Sequence, residues 1–238
     1  MSNELENLKN ELLRLKNPEK AKNLQRFFKT GKGEYGEGDI FLGIVVPEQR
    51  KIAKMFSDLE LNDLQELLDS KIHEHRLISL FILVDKYKRA DEQEKKEIFD
   101  FYLKNTEKGN INNWDLIDLS APNIVGDFLL NKEKERKILS DFAKSENLWK
   151  KRVAILATFR FIKYKDLDDS LKLSEILLNN KHDLIHKAVG WMLREIGKRD
   201  ENVLKEFLIK NHKKMPRTML RYSIEKFPED ERKEWLKK

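Results

Sequence analysis

Apolar residues recur at intervals of three and four along almost the whole chain, in helix-length segments separated by short polar breaks. A chain with that period buries one stripe of each helix and has little use for strands. Leu5, Leu8, Leu12 and Leu15 fall on one helical face, with Ser2 or Asn3 placed to cap it. Asn17-Pro18-Glu19 restarts a helix: Asn is a favoured cap, and Pro18 fits the first turn, where a missing N–H costs nothing. Pro47 opens a further helix through Phe56, and Asn62 to Leu68 forms a shorter one. From His73 onward the pattern breaks at Arg89-Ala90-Asp91, Gly109 to Asn113, Ser145-Glu146, Tyr164 to Asp169, Asn179 to Asp183, Arg199-Asp200 and Pro216. With 9 Gly and 5 Pro in 238 residues, the chain lacks the turn residues of a loop-rich or all-β fold. Charged residues make up 38%, which suits the outer faces of amphipathic helices, and the 39% hydrophobic content is enough for a core. The expectation is an all-α fold in a single domain over residues 1–238.

Thr30 to Asp39 holds four of the nine glycines and reads as a flexible loop. It lacks the Lys-Ser/Thr ending of a phosphate-binding loop and follows no strand. Several helices lead with a basic residue into an apolar run, as at Arg76, Arg152 and Lys187. Arg76, Trp114, Arg152 and Lys187 are separated by 38, 38 and 35 positions. That spacing predicts helix-pair repeats of the HEAT-like kind, whose inner helices line one concave surface. Cations one repeat apart on such a surface follow a phosphate backbone, or else neutralise helix ends.

The net charge of +6 favours a polyanionic partner. The absence of cysteine excludes disulfides, thiolate catalysis and thiolate metal sites. The N-terminus has no signal-peptide core, and the longest apolar stretch, Leu77 to Val84, is too short to span a bilayer. A cytoplasmic protein is expected. His182 and His186 are four apart, and His73 and His75 are close, but no HExxH pattern or third ligand accompanies them. No metal and no cofactor are expected.

The chemistry concentrates in three stretches: Asn113 to Asp118, Trp149 to Ala154, and Lys187 to Glu195. Trp114 and Asp118, four apart at the start of a short helix interrupted by Ser120-Ala121-Pro122, share a face. Trp191 and Arg194 form a second aromatic and cation pair, with Lys187 and Lys198 on the same stripe. Asp115 reads as a helix-start residue. Together with Asn17-Pro18-Glu19-Lys20, and Phe41 to Ile44 followed by Pro47, these stretches resemble the AlkD-type DNA alkylation repair family over nearly the whole chain.

The resemblance implies a right-handed α-solenoid of tandem HEAT-like repeats whose concave face holds duplex DNA. It also implies a monomeric glycosylase that excises N3- and N7-alkylated purines without holding the base in a pocket. Carried over by position, Asp118 is the catalytic carboxylate, Trp114 and Trp191 flank the lesion's deoxyribose, and Arg152 and Arg194 hold phosphates. Lys187 and Arg76 are expected on the same DNA-binding surface, and Phe27 falls where an aromatic approaches the lesion, or else packs in the core. Two alternatives stay open: a non-catalytic member of the fold that binds distorted or branched DNA, and a HEAT-like scaffold that binds protein.

Overall fold

The computed structural model describes residues 2–237. Among them all regular structure is helical, with no strand and one isolated parallel bridge between Ile40 and Ile72. The described residues form two compact units, with the boundary between Ser120 and Ala121. No helix among the described residues is long and apolar enough to cross a membrane.

The first unit holds α1 (Asn3–Arg14), α2 (Pro18–Phe27), α3 (Val46–Met55), α4 (Leu61–Leu68), α5 (His73–Arg89), α6 (Glu92–Lys108) and α7 (Trp114–Ser120). The caps fall where the sequence places them. The Ser2 hydroxyl accepts from the Leu5 amide at 3.1 Å, and the Asn17 side chain accepts from the Lys20 amide at 2.9 Å. Leu5, Leu8 and Leu12 are fully buried, but α1 stops at Arg14, so Leu15 leaves the apolar face and is exposed. Helix α5 is buried nearly all round and forms the centre of the unit, with α3, α4, α6 and α7 packed against it. Asp91 and Glu94 form a reciprocal capping box on α6, which ends at Gly109 with φ of 81°.

Residues 41–44 tie α2 to α5. The buried Glu74 carboxylate accepts from the amides of Leu42, Gly43 and Ile44 at 2.9, 2.8 and 3.3 Å. Gly43 has φ of 87°, and a Cβ there would lie 2.1 Å from the Asn17 carbonyl oxygen. Only glycine fits. The Thr30 to Asp39 stretch, expected as a flexible loop, is a run of turns closed by hydrogen bonds such as Gly36 N to Lys29 O and Asp39 N to Gly36 O, each 3.1 Å.

The second unit begins with a π-helical turn (Pro122–Gly126), α8 (Asp127–Leu129) and a 3-10 turn (Glu133–Arg136). Then follow α9 (Lys137–Lys144), α10 (Leu148–Lys163), α11 (Asp168–Leu177), α12 (Asp183–Gly197), α13 (Glu201–Asn211), α14 (Arg217–Ser223) and α15 (Glu229–Leu236). The interruption expected at Ser120-Ala121-Pro122 is thus a change of helical winding. Helix α10 packs against the π turn, α9, α11 and α12, and α12 packs against α14. Two glycines permit the closest of these approaches. A Cβ at Gly126 would meet the Ala157 carbonyl oxygen at 2.2 Å, and one at Gly190 would meet the Tyr222 Cβ at 2.5 Å.

Candidate functional site

In the first unit the short helix α7 carries Trp114 and Asp118 one turn apart, both half-buried, while Leu116 and Ile117 face the core. The indole is held by its surroundings. It stacks on the buried Phe28 ring at 5.3 Å and 9°, and the edge of Phe27 meets it at 6.0 Å and 75°. Phe28 stacks in turn on Phe41, and Phe41 on the His73 imidazole at 4.5 Å. Phe27 itself is 64% exposed, so of the two readings of this ring the core one is overturned: Phe28, its neighbour, takes the core position.

Beneath the stack lies a polar network. His73 Nε2 is 2.8 Å from Asp115 Oδ2, and His73 Nδ1 is 3.1 Å from Asp39 Oδ2. Arg76 closes an ion pair with Asp39 Oδ1 at 2.6 Å and donates to the Asn112 side chain. Asn113, fully buried, donates to Asp39 at 3.2 Å and accepts from the Trp114 amide at 2.9 Å. Burial works against charge on both Asp39 and His73. The opposite charges and hydrogen bonds win: Asp39 is held below the usual carboxylate range, and His73 is raised to about 9, chiefly by Asp115.

This network was partly invisible in the sequence. Asp115 lies in the first turn of α7, where the sequence put it, but its carboxylate pairs with His73. Arg76, expected on a DNA-facing surface, is buried and engaged with Asp39 and Asn112. Asp39 and Asn113 have no local signal, because the bond joining them spans 74 positions.

Asp118 lies within electrostatic reach of Tyr102. The Tyr102 hydroxyl is pushed up by burial, against a 2.9 Å hydrogen bond with Ser120, and the Asp118 charge adds to the rise.

In the second unit α10 presents Arg152, which is 4% exposed and donates to the Leu184 carbonyl at 2.6 Å in the first turn of α12. Helix α12 carries Lys187, Trp191 and Arg194 on one stripe. Lys187 pairs with Asp183 one turn earlier at 2.7 Å, and Trp191 lies 5.6 Å from Phe159. Arg194 pairs with Glu225 and approaches Glu195 at 3.9 Å. His182 accepts from the Leu184 amide at the start of α12, and His186 bonds the Asn180 carbonyl. Among the described residues no group of three His, Asp or Glu side chains is gathered as a metal site would require.

Trp114 and Asp118 stand one turn apart on α7, α12 carries Lys187, Trp191 and Arg194, and the net charge of +6 fits a class of protein that handles a polyanion. The family model described as DNA alkylation repair enzyme matches residues 8–227, and the chain belongs to that family. A solved structure described as a predicted DNA alkylation repair enzyme from Enterococcus faecalis is similar to it, with a TM-score of 0.69 and 18% identity. The match covers 90% of this chain and 97% of that one, and shows the fold. No curated protein matches the chain significantly.

Proposed function

We propose that this chain is a DNA glycosylase that hydrolyses the N-glycosidic bond of cationic N3- and N7-alkylated purines in duplex DNA, acting without a pocket for the base. The observation that carries the reading is α7, with Trp114 fixed by stacking on Phe28 and the half-buried Asp118 one turn along the same face. Membership of the DNA alkylation repair family supports the substrate class.

The alkylated purine already carries a positive charge, so it leaves as a neutral base and needs no general acid. What develops is cationic character on the sugar, as in glycoside cleavage. Asp118 stabilises that charge and positions the attacking water. Trp114, beside Asp118 on α7, borders the deoxyribose, excludes solvent and adds cation–π attraction of about 1 to 2 kcal/mol, and in the second unit Trp191 meets the DNA from α12. Arg152, Arg194 and Lys187 hold phosphates, and the exposed Phe27 edge completes the aromatic wall beside Trp114. Arg76 acts from inside, through Asp39.

The test is release of 7-methylguanine and 3-methyladenine from methylated duplex DNA by the wild type and by Asp118→Asn. The expected result is release by the wild type, a loss of about 100-fold or more in the variant, and DNA affinity largely kept. Equal activity in the variant removes Asp118 from the mechanism. No release by the wild type, with tight binding, leaves recognition of distorted DNA as the function.

A further inference from the structure

A neutral imidazole has one N–H, yet His73 has a carboxylate oxygen within hydrogen-bond distance of each ring nitrogen. In the neutral form one nitrogen lone pair would face a carboxylate in a buried site. We propose that His73 is a positioning residue: as an imidazolium bonded at both nitrogens, it holds α7, and with it Trp114 and Asp118, in the register that base release requires. The proposal rests on the glycosylase reading for its activity arm alone.

Three elements meet at this ring. His73 is the first residue of α5, Asp39 ends the turn-rich segment, and Asp115 is the second residue of α7, beside Trp114. The charged groups facing the ring are Asp39 and Asp115, with Arg76 from its own helix; Glu74 is engaged with the amides of Leu42 to Ile44. Two carboxylates and the Arg76 guanidinium are neutral together only when His73 is charged. Losing its proton leaves a net negative charge in the interior and turns a lone pair toward one carboxylate. The folded ring titrates near 9 against 6.5 unfolded. Its contribution is therefore fully present below pH 6.5 and is lost as pH rises through about 9. Asp115→Asn removes the charge that does most to raise His73 while leaving an amide oxygen to accept from Nε2.

The experiment measures single-turnover release of 3-methyladenine across the neutral and alkaline range for the wild type, Asp115→Asn and His73→Gln. Alongside it, without DNA, run a histidine NMR titration and amide exchange over α7. In the wild type, His73 should titrate near 9, and both release and α7 protection should fall through the same pH. In Asp115→Asn all three midpoints should move down by about one pH unit or more. His73→Gln should lose release about tenfold or more, with DNA affinity kept and the alkaline limb gone. The substrate's own titration is common to all three proteins, so a shift between them belongs to the protein. A His73 midpoint near 6.5, or an alkaline limb that Asp115→Asn does not move, overturns the proposal. If the wild type releases no base, the glycosylase reading fails, and α7 exchange then decides: pH-dependent protection that moves in Asp115→Asn supports the clamp, and pH-independent protection ends it. Should His73→Gln not fold, Asp115→Asn carries the same comparison.

Discussion

Phe27 and Phe28 are adjacent in sequence and opposite in consequence. Phe28 is 7% exposed and stacks on both Trp114 and Phe41, so Phe28→Ala should cost about 3 to 5 kcal/mol of stability, the usual loss for a buried ring. Phe27 is 64% exposed and touches Trp114 edge-on. Phe27→Ala should change stability by less than about 1 kcal/mol, because little buried area goes with it. Its effect belongs to the site: with the wall beside Trp114 opened, base release should drop by about 3- to 10-fold. Urea unfolding and single-turnover release, measured on both variants, separate the two. A Phe27→Ala protein that unfolds as easily as Phe28→Ala would return Phe27 to the core.

At the level of elements, the segment 41–44 decides where α2 and α5 meet, and it is held by one carboxylate and one glycine. Gly43→Ala places a Cβ 2.1 Å from the Asn17 carbonyl oxygen and 2.6 Å from the Ala21 nitrogen, at φ of 87°. Backbone strain and the clash together should cost at least about 2 kcal/mol, read as a lower urea midpoint with unchanged slope. A midpoint within error of the wild type would mean the segment can shift without loss. The elements themselves were legible because their signals are local: Ser2, Asn17 and Asp91 each cap the helix that follows within three residues, and Gly109 ends α6. Trp114 and Asp118 were legible as a pair because helix period alone places them one turn apart. The Asp39, His73 and Asp115 network was not, since its bonds join residues 34 and 42 positions apart and depend on how α5 and α7 pack. The π turn at Pro122–Gly126 was seen as an interruption but not as a change of winding, which the packing against α10 fixes.

For the whole molecule, a net charge of +6 predicts DNA binding that weakens with salt, because cations placed on phosphates release condensed counterions. Which cations do so is a question of slope. Arg152 is a poor first probe, since it is buried and bonded to the Leu184 carbonyl, so its removal costs folding as well as binding. Arg194 pairs with Glu225, and truncating it leaves that carboxylate without this partner. Lys187 is the cleaner test. Its side chain is 42% exposed, and its pair with Asp183 is a surface pair one turn apart, worth at most about 0.5 kcal/mol to stability. Lys187→Ala should therefore unfold almost as the wild type does, bind duplex DNA more weakly regardless of sequence, and flatten the plot of log K against log salt by about 0.9. An unchanged slope with weaker binding would assign Lys187 to shaping α12 rather than to phosphate contact.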